Sequence, residues 1–123
     1  PFEENSFDVV MCNHVLEHVD DSEKVMTELY RVMKPGGWGI FQVPIDINSP
    51  NTKEDKSITN PKERERLYWQ DDHLRLFGLD YGSKLKAVGF KVTESNFINE
   101  LDSELVERYS LPKQEIIYFC EKK

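Results

Sequence analysis

In the run Phe7-Asp8-Val9-Val10-Met11-Cys12 only Asp8 is polar. So short and apolar a run suits a strand buried on both faces, as strands are inside a parallel sheet. Parallel neighbours need a crossover rather than a hairpin, and the sequence supplies one. Asp20 and Glu23 form a capping box. Val25, Met26, Leu29, Tyr30, Val32 and Met33 then recur at helical spacing. Pro35-Gly36-Gly37 stops that helix, because proline cannot continue it and glycine takes positive φ. Trp38 to Val43 reads as a second strand, which completes a right-handed βαβ unit.

The stretch from Pro44 to Asp72 is polar and long, and segments of this kind in compact domains are lids or disordered. It holds one helix signal: Asn60 as cap, Pro61 in the first turn and Glu63 closing a capping box. Asn48 to Lys56 carries no core-forming residue and is expected to be mobile. Asp80 to Val88 is a short helix closed by Gly89. Phe90 to Ser95 alternates apolar and polar, as a half-exposed strand does. Ser103 to Tyr109 is a further short helix, and Glu115 to Cys120 a last apolar strand. No linker or repeat divides the chain.

Charge and cysteine use narrow the function classes. Sixteen basic against 23 acidic residues give a formal charge of −7, which argues against a duplex nucleic-acid binder. Lys62, Arg64 and Arg66 alternate with Glu63 and Glu65 as a solvated helix face does. No apolar run approaches the length of a membrane span, and Pro1-Phe2-Glu3-Glu4 lacks the features of a signal peptide. Cys12 and Cys120 sit in apolar runs and read as buried free thiols, which suits a reducing, cytoplasmic setting.

FDVVMCNHVLEHVDD followed by LYRVMKPGGWGIFQVP closely resembles the middle of a class I S-adenosylmethionine-dependent methyltransferase. DDHLRLFG, LKAVGFKV and IIYFCEKK fit the later part of that family. The resemblance implies an α/β fold, the C-terminal half of a Rossmann-like doubly wound sheet. Its four strands would run in order 1-2-4-3, with the last strand antiparallel. The chain, residues 1–123, would then be a single partial domain covering strands four to seven of the family fold. Neither the family's glycine-rich turn after the first strand nor its ribose-binding carboxylate after the second is encoded here. Ligands of such sheets bind where strand order reverses, at the carboxyl ends of the strands.

The resemblance places Cys12, Asn13 and His14 against the cofactor, S-adenosylmethionine. Trp69, Asp72, His73 and Arg75 would lie where related enzymes close over the acceptor. There Trp69 and Arg75 would bind substrate, and His73 would take its proton. The alternative for this cluster is a helix start with Asp71 or Asp72 as cap and Arg75 paired on the surface. The expected reaction is methyl transfer to a nucleophilic O, N or C atom of an unidentified small-molecule or protein acceptor. The rival is a truncated, non-catalytic domain that acts by association, and the chain alone is expected to be inactive.

His14-Val15-Leu16-Glu17-His18 also matches H-x-x-E-H, the inverted zinc-protease signature. It follows a strand directly, the helix cap comes later, and no third ligand is evident in the sequence, so no metal is assigned. In some quinone-pathway methyltransferases this stretch reads E-x-x-E-H and holds a divalent metal; His14 in place of the first carboxylate would favour a softer ion. Phe7 to Cys12 would leave an apolar, uncharged edge open. Such an edge is a template for pairing, most simply in a two-fold homodimer.

Overall fold

In the computed structural model, which describes residues 1–123, strand β1 (Phe7–Asn13) leads through helix α1 (Ser22–Val32) to β2 (Met33–Gln42), and the two strands are parallel. Helices α2 (Pro61–Tyr68) and α3 (Tyr81–Val88) follow. Then come β3 (Lys91–Ser95), a 3-10 turn at Phe97–Glu100, α4 (Ser103–Arg108) and β4 (Ile117–Glu121). β4 inserts antiparallel between β2 and β3, so the order is β1-β2-β4-β3, as the sequence led us to expect. No helix is long and apolar enough to cross a membrane.

Local chemistry moves two boundaries. The cap of α1 is Asp21, whose carboxylate accepts from the Lys24 N–H at 3.0 Å, and not Asp20. The Asp20 carbonyl is instead held by Arg75, which keeps that residue in the preceding turn. Pro35-Gly36-Gly37 does not separate helix from strand. α1 passes directly into β2, and a bulge opens between the Phe7–Met33 and Val9–Trp38 pairs. A bulge tolerates the missing proline N–H. Gly36 takes φ +83° there, and its N–H donates to the Lys122 carbonyl at 2.7 Å. At Gly39 a Cβ would stand 2.5 Å from the Val10 carbonyl oxygen, so the approach of β1 to β2 requires glycine.

One sheet face packs under α1 and α3. Cys12, Phe41, Tyr118 and Cys120 meet Met26, Leu85 and Phe90 in a single buried cluster. The Tyr81 hydroxyl, within it, donates to the Phe41 carbonyl at 3.0 Å. Both cysteines are buried and free, as expected. The opposite face is open to solvent at Val9, Met11 and Trp38, where register places Val9 beside Trp38 and Met11 beside Ile40. β1 is paired on one edge only.

The polar stretch after β2 is tied down more than its composition suggests. Lys53 and Leu76 exchange both backbone hydrogen bonds, at 2.8 and 2.9 Å, and Ile45 pairs with Phe77. The Thr52 hydroxyl donates to Asp80 at 2.7 Å. Asp80 itself has helical backbone, φ −75° and ψ −3°, rather than the extended backbone of a capping residue, and α3 has no side-chain cap.

Candidate functional site

β1 and β2 end side by side, with Asn13 in register with Gln42. Past them the chain turns sharply. His14 takes φ +56°, and its N–H donates to the Gln42 carbonyl at 2.7 Å. The antiparallel β2–β4 pairing stops at Ile40–Phe119. Beyond it the Gln42 side chain replaces the ladder, accepting from Tyr118 N–H at 2.7 Å and donating to the Ile116 carbonyl at 2.9 Å. These bonds hold the carboxyl ends of β1 and β2 and the amino end of β4 around a crevice of about 830 Å³.

The crevice has an apolar body and a charged rim. Val43, Ile45, Ile47, Ile116 and the Trp69 ring form the first; Asp46, Lys113 and Glu115 belong to the second, and His14 stands in the wall. Trp69 is the residue that ends α2, at φ +76°, and half of it is exposed. Left-handed backbone at a helix end normally falls to glycine. A tryptophan and a histidine held this way in one crevice are the strained positions that cluster at working sites.

The sequence-derived residues divide into two groups. Asn13 is exposed at the end of β1, next to His14 in the chain, and His14 and Trp69 line the crevice. Cys12 is buried beneath it, its thiol pushed up first by burial and then by the nearby Glu17 carboxylate, so it can offer a ligand only its backbone. Arg75 does not line the crevice and is buried rather than paired on the surface. It is 1% exposed, and its guanidinium donates to the carbonyls of Leu16 and Asp20 and to Glu54 Oε1 at 2.8 Å. It therefore fastens the 14–20 turn to the segment after α2. His73 is also withdrawn. It is 2% exposed, and its Nδ1 donates to the Tyr68 carbonyl at 2.8 Å. It stacks edge-to-face on His18 with centroids 4.7 Å apart. Asp72 faces His18, its Oδ2 3.4 Å from Nδ1.

Three contributors escaped the sequence reading. Gln42 looked like one more strand residue, and nothing local marks its side chain as a ladder substitute. Ile45 and Ile47 lay in a stretch judged polar as a whole, although their spacing puts both on one side of an extended chain.

A family model described as a methyltransferase domain matches residues 1–41. Sterol 24-C-methyltransferase of Saccharomyces cerevisiae is 33% identical over 113 residues, covering 89% of this chain and 28% of that protein. Demethylmenaquinone methyltransferase of Listeria monocytogenes is 42% identical over 60 residues, covering 49% of this chain and 24% of that protein. The chain spans about a quarter of the length of the curated relatives it matches. Among solved structures, the cyclase SpnF superposes with a TM-score of 0.62 at 17% identity, covering 99% of this chain and 53% of that one. A didemethyltoxoflavin N1-methyltransferase of Burkholderia thailandensis gives 0.60 at 13% identity, covering 98% and 45%. At these identities the structural likeness speaks for the fold, and a cyclase among the neighbours shows that the fold alone does not set the reaction.

Proposed function

Because the chain belongs to the class I S-adenosylmethionine-dependent methyltransferase family, we propose that the crevice at the carboxyl ends of β1 and β2 is the acceptor side of a methyl-transfer site. The observation that carries this reading is the pair of left-handed residues, His14 and Trp69, in the wall of one largely apolar crevice.

S-adenosylmethionine, when bound, supplies a methyl group already activated by its sulfonium. The residues present fit one flank of it. Asn13 stands exposed at the end of β1, and the backbone of Cys12 and Asn13 lies along the unpaired edge of that strand. The glycines do not build the other flank: Gly36, Gly37 and Gly39 lie in β2, Gly82 in α3 and Gly89 at its end, while Gly78 precedes α3. We therefore assign this chain one wall, strands four to seven of the family fold.

The work of this wall is to orient an acceptor and exclude water. The indole of Trp69 and the isoleucines suit a ring-bearing apolar body. The sterol and demethylmenaquinone methyltransferases among the relatives are named for acceptors of that kind. His14 is the imidazole in the crevice wall, so the proton-accepting part moves from His73 to His14. It would take the proton that the acceptor loses as the methyl carbon passes to the acceptor's nucleophilic atom, the S–CH3 bond breaking to leave a neutral thioether.

A second reading rests on the bare face at Val9, Met11 and Trp38 and on the open β1 edge. In it the chain works by association, as a homodimer through Phe7–Cys12. The deciding assay is methyl transfer by the longest native polypeptide containing this sequence, with sterol and quinol acceptors. Trp69→Gly should raise the acceptor KM about tenfold while leaving stability equal or higher, since glycine relieves the left-handed strain. An unchanged KM would make Trp69 a mere helix end and remove the reading.

A further inference from the structure

Glu17 is out of keeping with its surroundings. Its side chain is 2% exposed, and its Oε2 has no hydrogen-bond partner. Buried carboxylates are normally paired or hold a metal. No lysine or arginine pairs with this one. Its partners are imidazoles: His14 Nδ1 and His18 Nε2 each lie 3.6 Å from Oε1.

The third ligand that the sequence did not disclose comes from 56 positions further on. His73 packs against His18, and one donor atom from each of Glu17, His18 and His73 falls within 4.8 Å of the others. The outer nitrogens of both imidazoles are already engaged. His73 Nδ1–H donates to the Tyr68 carbonyl at 2.8 Å, which leaves Nε2 with a free lone pair. His18 Nδ1 faces the Asp72 carboxylate at 3.4 Å, and its Nε2 faces Glu17. Metal-bound histidines are oriented in this way, with the far nitrogen resting on a carboxylate or carbonyl. Bonds of about 2.0–2.1 Å to a shared ion would set ligand atoms roughly 3.4 Å apart, close to the 3.6 Å between Glu17 Oε1 and His18 Nε2. The support is rigid, because Leu74 N–H donates to the Glu17 carbonyl at 2.8 Å and Arg75 clamps the carbonyls on either side.

We infer that Glu17, His18 and His73 form a site for one divalent transition-metal ion of the zinc and cobalt class, with a coordination position left open. Two imidazoles and one carboxylate disfavour magnesium and calcium, which take oxygen ligands. The ion would tie the turn after β1 to the segment after α2. His14, 3.6 Å from the shared carboxylate oxygen, would connect the site to the crevice wall. The inference does not rest on the methyl-transfer reading, and its test uses no activity.

The test is titration of CoCl2 into the longest native polypeptide containing this sequence, followed by visible absorption, with folding of each sample verified by circular dichroism. One equivalent should develop a ligand-field spectrum that ZnCl2 abolishes and a large excess of MgCl2 leaves intact. Glu17→Gln and His73→Ala should remove it. Asp72→Asn, an exposed change that leaves the three ligands in place, should weaken cobalt binding about tenfold or more. A folded wild-type protein that takes up no stoichiometric cobalt, or a Glu17→Gln protein that binds as the wild type does, would overturn the inference.

Discussion

The Arg75 guanidinium donates to the carbonyl oxygen of Leu16, 59 positions earlier in the chain, and so joins the turn after β1 to the segment after α2. The same side chain reaches Asp20 O at 3.0 Å and Glu54 Oε1 at 2.8 Å. Arg75→Ala would leave buried carbonyls without donors and should cost about 2–4 kcal/mol in urea unfolding. Glu54→Gln keeps an acceptor oxygen on a side chain one-third exposed, so its cost should be about 1 kcal/mol or less. Equal losses for the two would mean that the ion pair, rather than the carbonyl clamp, holds the turn.

The buried thiols give a prediction in pH. Burial pushes Cys120 from an ordinary 9.0 up to about 12, and Tyr118, also through burial first, from 10.0 to about 12. Between 9 and 12 the unfolded chain therefore holds fewer protons than the folded one. Stability is fully present below pH 9 and falls as pH rises towards 12. Urea midpoints should stay level with respect to these groups up to about pH 8–9 and decline above it. Cys120→Ala should lower the midpoint at pH 7 yet show a shallower alkaline decline. An identical decline in both proteins would assign the effect elsewhere.

Most of the strands and helices could be read from the sequence, because apolar runs and helical periods mark the elements. The expected burial of β1 on both faces is not met, since Val9 and Met11 are exposed. Strand order came from the resemblance, and the structure agrees with it. What could not be read depends on contacts distant in sequence. Asp20 and Asp21 are equal candidates to cap α1 until Arg75, 55 positions away, occupies the Asp20 carbonyl. Pro35-Gly36-Gly37 signals a break by local rules, yet the partner strand turns it into a bulge inside β2. The polar composition of residues 48–56 suggested mobility, whereas Lys53 and Leu76 form a two-bond bridge that composition cannot show. At the site, the His14-Glu17-His18 spacing was visible, but its link to His73 exists only in three dimensions.

Cofactor binding follows from how little of the crevice wall lies in these residues. The 123-residue chain offers Asn13, His14 and the edge of β1, and no glycine turn to seat the methionine end of S-adenosylmethionine. Calorimetry on this chain should show heats no larger than dilution. Micromolar binding would mean that a different set of its residues builds the site.

The last prediction concerns the edge and bare face of β1. Phe7, Val9 and Met11 are 36, 45 and 56% exposed, Trp38 lies beside Val9, and the strand has unpaired N–H and C=O groups along one side. A groove of about 520 Å³ runs between this strand and α1, lined by Phe2, Phe7, Val10, Val25 and Leu29. Long apolar edges pair with other chains unless charge or a covering element blocks them, and Lys34 bonded to Asp8 at 2.9 Å is the ion pair on this strand. Antiparallel pairing of two β1 strands about a two-fold axis would satisfy the backbone groups of both copies and cover Val9 and Met11. Sedimentation of the 123-residue chain should therefore show a dimer whose population rises with concentration. Met11→Lys places a charge on the exposed face without touching the buried cluster, and should return the chain to a monomer. A monodisperse monomer at high concentration in both proteins would show that β1 does not pair.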